Sequence, residues 1–516
     1  MNIDAKKQVD DMNSYYKMLE LESGISRGAS STLSSTRYLG RLRKTGTKTS
    51  GTLSPRETMT VIGMLVLGGA MQAIANGAIE ALLVMLFYFL VGRMAVSLVF
   101  QNRKPELRAF FLMYAICIFA GGLAQIYSFA VFNQIQTTTD ARGFFRQISP
   151  QPPFITFETV PYFGTSLALV IWQQFYKLTW WLGFKFGPYT GVMVNALVMG
   201  LVASLTVQIA RELFGDNAGR LRRVGTLVAA NGLFILFGAV LLRDSFTTFF
   251  MTLALWSGVR FLVRLNIQSF VIAIVVTAIS AWTMQYLREG AYLLIFLYGI
   301  LALLFGLLKR LGVVGITVVS LFLIAVFAGG SFFSTYLYEI QTNQTYYLEK
   351  YTNWATRTEA ADSLGMQFLY NQPLPIRLST GSVTLMLSPI PLWAFFNLDS
   401  SDYHWIKGYN GIYQFFVMPL VFAGFLAAFR IFFRDIKRSW PFMFLVIFLL
   451  INAAGVVASS LEQRHFGQFM SAFVVIAAIP DTRDEKANNE LRNIRVWWFF
   501  AVLLVHILWA VLKIAQ

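Results

Sequence analysis

Long apolar runs separated by short polar and basic segments dominate the chain from about residue 58 onward. A run of about 20 apolar residues suffices for a helix to cross the hydrocarbon core of a bilayer, which is roughly 30 Å thick. Only helices satisfy their backbone hydrogen bonds within such runs, so we predict an all-α polytopic membrane protein with about 13 transmembrane helices. The predicted spans lie near 59–76, 79–100, 109–132, 188–210, 224–242, 245–264, 268–285, 291–308, 312–331, 413–432, 441–459, 466–480 and 496–514.

The first two spans are separated by a very short polar segment at Asn76-Gly77. A tight helical hairpin is the first interpretation. A re-entrant pair and one long broken helix remain alternatives for this stretch.

Composition excludes several classes of protein. Of 516 residues, 56% are hydrophobic and only 13% are charged, which is about half of the usual quarter in soluble proteins. Such a chain cannot cover itself with a polar surface, which excludes soluble enzymes, secreted disulfide scaffolds and nucleic-acid-binding domains. The single cysteine, Cys117, lies in an apolar run and cannot form an internal disulfide.

The 42 Lys and Arg residues exceed the 26 Asp and Glu residues, giving a net charge of +16. Cytoplasmic loops of membrane proteins are enriched in Lys and Arg. With the N-terminus placed inside, 29 of the 42 basic residues fall on the inner side and about 11 on the other. We therefore expect an integral protein of a bacterial cytoplasmic membrane with a cytoplasmic N-terminus, in contact with membrane lipids and not with nucleic acid.

The polar segments divide the chain into five parts. One outer segment contains SLALVIWQQFYKLTWWLGF, whose Trp172, Trp180, Trp181 and Lys177 favour a helix lying at the membrane interface. Function is expected on this side, where the chain has its long loops. The parts are a basic, partly disordered tail at 1–57, a transmembrane hairpin at 58–108, a core at 109–331 with a first outer loop at 133–187, a second outer loop at 332–412, and C-terminal helices at 413–516.

Four groups of ionisable residues lie near span ends on the predicted outer side. Exposing a charged side chain to lipid costs free energy, so charged residues near the ends of membrane spans indicate a structural or functional role. Their coincidence on one face makes them the candidate site. The candidate residues are Asp140, Arg142, Arg243, Asp244, Arg288, Glu289, Glu462, Arg464 and His465.

Several arginines beside carboxylates suit a ligand that bears phosphate. A guanidinium group binds phosphate oxygens bidentately, and a carboxylate can accept the proton of an attacking hydroxyl. The simpler alternative is local pairing at helix ends, with Arg243 beside Asp244, Arg288 beside Glu289, and Glu462 beside Arg464. Both interpretations stay open at the level of sequence.

Motifs for metals and nucleotides are missing from the sequence. Three histidines are too few and too scattered for a multi-histidine metal site. No P-loop, zinc spacing or glycine-rich nucleotide fingerprint occurs, so an ATP-driven pump is not expected. We predict no cofactor and no metal ligands, while a divalent metal requirement remains open.

Residues 109–310 resemble the GT-C glycosyltransferases, polytopic membrane enzymes that use polyprenyl-phosphate-linked sugars. This group includes protein mannosyltransferase-like and lipid A aminoarabinose transferase-like proteins. The similar features are NAL within a span, ARELFG followed by a basic run, and RD closing the next span. The resemblance implies that an acidic residue of the first outer loop is the catalytic base, and Asp140 matches it. The context DARGFF lacks the second acidic residue often found there, and the N-terminal hairpin and tail are additional.

The leading hypothesis is a sugar transferase of cell-envelope polysaccharide biosynthesis. Its donor would be a polyprenyl phosphate or diphosphate sugar, and its acceptor a glycan, lipid or protein hydroxyl. Asp140 would deprotonate the acceptor, while the outer arginines would hold the phosphate. One alternative is a polysaccharide polymerase of the O-antigen polymerase type. Another, from a different class, is a secondary transporter or lipid flippase.

Overall fold

The computed structural model describes residues 52–136, 139–148, 166–288, 291–312, 373–387, 404–459, 463–481 and 484–514, with isolated positions between 314 and 349. Within these residues all regular secondary structure is helical. The helices are α1 (Pro55–Asn76), α2 (Ala81–Val99), α3 (Lys104–Phe132), α4 (Thr139–Ile148), α5 (Ser166–Trp181), α6 (Pro188–Phe214), α7 (Ala218–Ala229), α8 (Gly232–Ala239), α9 (Asp244–Arg264), α10 (Ile267–Leu287), α11 (Ala291–Leu311), α12 (Leu374–Leu387), α13 (His404–Arg434), α14 (Ile436–Ser459), α15 (Gln463–Phe466), α16 (Met470–Ala477) and α17 (Glu485–Ile514).

In the described part of the chain, ten helices are long and apolar enough to cross a membrane, and the bent pair α7–α8 adds one more if it forms a single span. The prediction of an all-α integral membrane protein is thereby confirmed. The described residues do not confirm the count of about 13. The predicted span 312–331 lies almost wholly outside the described residues. The segment predicted as a span at 466–480 consists of α15, a 3-10 turn at Gly467–Phe469 and the eight-residue α16 in direct succession. It connects Arg464, paired with Asp140, to Asp481, paired with Arg220.

The first two spans are separate helices. Gly77 ends α1 with φ 56°, a left-handed conformation that glycine adopts without steric cost, and α2 begins at Ala81. At its other end, α1 begins at Pro55, where Ser54 and Glu57 form a capping box. The helix therefore begins within the segment predicted to be a polar tail.

Glycines allow α1 and α3 to cross at very short range. A Cβ added to Gly68 would lie 2.6 Å from the Ile118 carbonyl oxygen, and one added to Gly122 would lie 3.0 Å from the Gly68 Cα. Beyond the crossing, the Gln72 amide donates to the Ile118 carbonyl at 3.1 Å. Small residues at the crossing and an interhelical polar contact are typical of helix pairs in membranes.

Several ion pairs link the helices at the end that contains Glu57. The Arg108 guanidinium lies 2.7 Å from the Glu57 carboxylate, and Arg211 binds the Glu106 carboxylate through two contacts of 2.7 Å. All four residues lie at helix ends predicted to be cytoplasmic. We call this region the Glu57 end of the bundle and the opposite region, which contains Asp140, the Asp140 end.

Two features of the predicted outer loops differ from expectation. The helix α5 forms as predicted, but Trp172 is fully buried by protein, whereas the exposed fractions of Trp180 and Trp181 are 49% and 66%. Trp172 thus serves packing rather than an interfacial belt. The long helix α13 begins at His404, so residues 404–412 belong to a helix instead of the second loop. The Tyr-rich part of that loop lies mostly outside the described residues.

Candidate functional site

Charged side chains link two pairs of elements at the Asp140 end. Arg464, on α15, forms an ion pair with Asp140 at the start of α4. Arg288, which caps the end of α10, lies 3.4 Å from the carboxylate of Asp244, the first residue of α9. Residues that are remote in sequence therefore meet in one region.

Arg243 is held by the end of the neighbouring helix. Its guanidinium donates to the carbonyl of Leu287, the last residue of α10, at 3.2 Å. The last carbonyls of a helix have no partner within the helix, and a basic side chain there satisfies them and complements the helix dipole. Arg243 thereby joins α9 to α10 beside Arg288.

A buried asparagine fixes the backbone that leads to Arg243. Val240 is extended where α8 ends, and the Asn195 amide group donates to the carbonyls of Val240 and Leu242 at 2.8 and 3.0 Å. The Trp172 indole donates to the Asn195 side-chain oxygen at 2.9 Å. These hydrogen bonds satisfy a non-helical stretch inside the bundle, and their geometry places Arg243 and Asp244 at its end.

The same tryptophan positions Asp140. The rings of Phe144 and Trp172 lie 5.5 Å apart, and those of Trp172 and Phe246 lie 5.4 Å apart. The Gln173 amide also donates to the carbonyl of Ile148, at the other end of α4, at 3.2 Å. Helix α4 is therefore packed against α5, which brings the Asp140 carboxylate to the arginines.

His465 lies among four cations. The imidazole is buried, and the pKa of His465 is well below its ordinary value because of burial and the nearby charges of Arg288, Arg464, Arg243 and Lys407. A neutral imidazole can donate one hydrogen bond and accept another. We call Arg243, Arg288, Arg464 and Lys407 the cationic cluster.

Asp244 is the buried acid of the site, with 7% of its side chain exposed, compared with 45% for Asp140. The side-chain amide of Gln468, which lies on the 3-10 turn after α15, is 3.4 Å from the Asp244 carboxylate. The two acids thus differ in their access to solvent. Asp140 is the one that an external molecule can reach.

The structure brings together six of the predicted site residues: Asp140, Arg243, Asp244, Arg288, Arg464 and His465. Arg142 lies two residues after Asp140 on α4 with a half-buried side chain. Glu289 and Glu462, with their suggested local pairs, lie outside the described residues. The ion pairs of Asp140 and Asp244 cross between elements, unlike the local pairing considered for the sequence.

Four contributing residues were not identified from the sequence as parts of the site: Lys407, Gln468, Asn195 and Trp172. Lys407 precedes an apolar run, like the arginines that were singled out. Gln468 and Asn195 are polar residues within predicted spans, which is a usable signal because such residues need partners in a membrane. For Trp172, only its packing distinguishes it from the exposed tryptophans of the same helix.

The ionisable side chains that meet around His465 and Asp140 are four cations, two carboxylates and one imidazole. This composition favours an anionic ligand over a metal ion. Among the described residues, no group of three or more His, Cys, Asp or Glu side chains is arranged to hold a metal. No family model matches this chain, and no curated protein matches it significantly.

Proposed function

We propose that the protein is a membrane glycosyltransferase that moves a sugar from a polyprenyl-phosphate or polyprenyl-diphosphate donor to a hydroxyl acceptor. The acceptor would be a glycan, lipid or protein on the outer face of a bacterial cytoplasmic membrane, with the N-terminus inside. The observation that supports this proposal is the meeting of the cationic cluster with the solvent-accessible Asp140 at one end of the helices. The resemblance of residues 109–310 to GT-C enzymes points the same way.

In the proposed reaction the Asp140 carboxylate accepts the proton of the acceptor hydroxyl. The acceptor oxygen then attacks the anomeric carbon of the sugar, and the bond from that carbon to the phosphate oxygen breaks. The electron pair leaves with the phosphate, whose developing charge the arginines stabilise. Arg464 contacts Asp140, so it is placed to link the base with the leaving group.

The arginines are tested by binding of a polyprenyl phosphate to the purified protein. Replacing Arg by Lys retains the positive charge but loses the planar guanidinium group, which can bind two phosphate oxygens at once. Arg243→Lys and Arg464→Lys should therefore weaken lipid binding in part, and Arg243→Ala and Arg464→Ala should weaken it severely. Arg288→Ala is the third variant. Arg438→Ala is the matched control, because Arg438 forms an exposed pair with Asp435 remote from the site.

Melting temperatures of the same variants separate binding from folding. If the arginines serve only as structural charges, Arg243→Ala and Arg464→Ala will lower the melting temperature while lipid binding stays normal. That result would remove the cationic cluster from the proposed function.

Asp140→Asn tests the proposed base. The substitution is nearly isosteric, so expression should be normal while transfer falls by about 100- to 10,000-fold, the usual contribution of a general base. Transfer is measured with membranes, labelled lipid-linked sugar and acceptor. Asp216→Asn is the control, since Asp216 is an exposed carboxylate paired with Arg211 at the Glu57 end. Activity of Asp140→Asn within a few-fold of the wild type would exclude Asp140 from the mechanism.

A transporter or lipid flippase is the second candidate, favoured by the 55° bend between α7 and α8. Broken helices often line transport sites in membranes. Purified protein in vesicles distinguishes the two, because a transferase forms a new glycosidic bond, whereas a flippase only moves the lipid between leaflets. A polymerase of the O-antigen type would be recognised by products of several repeat units.

A further inference from the structure

The break between α7 and α8 contains a buried side chain with an unused donor. Asn231 caps α8, and its side-chain oxygen accepts the Phe234 N–H at 3.0 Å. The amide nitrogen of the same side chain is buried and makes no hydrogen bond, although Asn231 is completely inaccessible to solvent.

Helix α13 adds further polar atoms at this point. A Cβ added to Gly232 would lie 2.6 Å from the Asn410 Cα, so the break packs directly against α13. Asn410 is fully buried, and neither its side-chain oxygen nor its nitrogen has a hydrogen-bond partner. The Tyr413 hydroxyl lies beside the Asn231 amide without meeting hydrogen-bond geometry. The side-chain oxygen of Gln414, also buried, completes the set.

Buried polar groups in proteins are almost always hydrogen-bonded, either to protein or to an internal water molecule. Four neighbouring residues here contribute five polar atoms that the protein leaves unmatched. Leaving them so would oppose folding, because each gives up its hydrogen bonds to water. A bound molecule that supplies the missing hydrogen bonds accounts for the arrangement.

The chemistry of the five atoms specifies that molecule. The nitrogens of Asn231 and Asn410 donate, the oxygens of Asn410 and Gln414 accept, and the Tyr413 hydroxyl does both. None of these side chains is charged at neutral pH. A metal cation would meet two donor groups, and an anion would meet two acceptors. A neutral hydroxyl both donates and accepts, so it matches the set.

The position of these residues connects them with the cationic cluster. Lys407, Asn410 and Gln414 are spaced by three and four positions, so they lie on one face of α13. At about 1.5 Å per residue, Asn410 and Gln414 lie roughly 5 and 10 Å further along the helix than Lys407. Lys407 is one of the charges beside His465. The polar face therefore runs from the cationic cluster into the bundle.

We propose that Asn231, Asn410, Tyr413 and Gln414 form a buried pocket that binds neutral hydroxyl groups and adjoins the cationic cluster. Two sources share this chemistry: ordered water molecules, and hydroxyls of the sugar on a lipid-linked donor. The sugar as source rests on the proposed function, whereas water does not.

Tyr413→Phe tests occupancy, because it removes one hydroxyl and keeps the ring. In an occupied pocket the full-length protein should lose a few degrees of melting temperature, as the bound hydroxyl loses a partner. The reference is Tyr114→Phe, which removes a buried hydroxyl that donates to the Met85 carbonyl at 2.8 Å. Asn410→Leu should act in the same direction as Tyr413→Phe. In an empty pocket Asn410→Leu would remove two unmatched polar atoms and leave the melting temperature unchanged or higher, which would overturn the proposal whatever the effect of Tyr413→Phe on its contact with Asn231.

Binding of two probes identifies the source. The probes are a polyprenyl phosphate and the same lipid linked to a hexose. If the sugar occupies the pocket, Tyr413→Phe weakens binding of the hexose-linked lipid by about tenfold and leaves the sugar-free lipid unaffected. If water occupies it, both lipids bind as to the wild type while the loss of melting temperature persists. If the wild type binds neither lipid, the proposed function fails, and the melting temperatures still decide whether the pocket is occupied.

Discussion

His465 illustrates how strongly neighbours define a single residue in this protein. Its imidazole is buried, and the charges of Arg288, Arg464, Arg243 and Lys407 come from four separate elements. Burial and these cations lower the pKa of His465, because both disfavour a further positive charge. A neutral histidine beside arginines is compatible with an anion at the site, which would offset the cations.

A dependence of stability on pH follows from the lowered pKa of His465. In the unfolded chain the pKa of His465 is about 6.5, so below that pH the unfolded chain binds a proton that the folded chain does not. The contribution of His465 to the free energy of unfolding is therefore fully present above pH 6.5. It declines as the pH falls below 6.5, by up to about 1.4 kcal/mol per pH unit. Melting temperatures between pH 8 and 5 should therefore fall more steeply for the wild type than for His465→Gln.

The control for this measurement is Arg438→Gln, which changes an exposed residue paired with Asp435 outside the cationic cluster and removes no histidine. It should retain the slope of the wild type. Equal slopes for the wild type and His465→Gln would show that the imidazole does not lose its proton on folding.

At the scale of helices, close contact between backbones and breaks in spans organise the bundle. Gly68 and Gly122 bring α1 onto α3, and Asn195 satisfies the extended residues that follow α8. Helix α6, which carries Asn195, is the central helix of the bundle, because 89% of the residues in its most apolar stretch are buried within the protein. The non-helical residues after α8 thus find hydrogen-bond partners on the neighbouring helix α6. These hydrogen bonds position Arg243 and Asp244.

Gly68→Ala tests the crossing of α1 and α3. The new Cβ would lie 2.6 Å from backbone atoms of Ile118 and Phe119, which cannot move aside without separating the helices. We expect a loss of about 1–3 kcal/mol, the usual cost of overpacking. Gly63→Ala is the control on the same helix, where an added Cβ meets nothing within 4 Å. Thermal unfolding of both variants gives the comparison, and equal stability would mean that the close crossing is not required.

At the level of the whole bundle, ion pairs of the described residues lie at two opposite ends. The Glu57 end has the pairs of Arg108 and Arg211, and the Asp140 end has the pairs of Arg288 and Arg464. Ion pairs confined to helix ends keep charge out of the hydrocarbon, where an unpaired charge is costly. The excess of basic residues at the Glu57 end predicts that this end is cytoplasmic.

Cysteine labelling tests that orientation. The native Cys117 is buried, so it should not react with an impermeant thiol reagent. Cysteines at Thr139 and Thr345 should be labelled in intact cells, and Thr47→Cys only after the membrane is opened. Labelling of Thr47→Cys in intact cells, with the other two protected, would invert the orientation and place the Asp140 end in the cytoplasm.

Much of the architecture could be predicted because a bilayer imposes a strong rule on sequence. Spans such as α6, α9 and α10 follow directly from long, predominantly apolar runs, since only a helix satisfies the backbone there. Residues 466–480 were predicted as one span, and the segment does run from Arg464, which pairs with Asp140, to Asp481, which pairs with Arg220 near the Glu57 end. It does so as α15, a 3-10 turn and α16 rather than as one regular helix, a difference that hydrophobicity alone does not show. The residues of α16 are completely covered by neighbouring helices, and a buried segment can break where a lipid-exposed helix cannot.

For the site, the sequence alone shows which charges lie at span ends, because the length of an apolar run fixes where its helix leaves the membrane. It therefore identified Asp140, Arg243, Asp244, Arg288, Arg464 and His465 as candidates. Their partners became known from the folded arrangement: Asp140 pairs with Arg464, Asp244 pairs with Arg288, and Arg243 binds the end of α10. Pairing depends on which helices are neighbours, and that is set by side-chain packing at glycines and buried amides rather than by hydrophobic length. The same packing brought Lys407 to His465 and placed Asn410 against the break at Asn231.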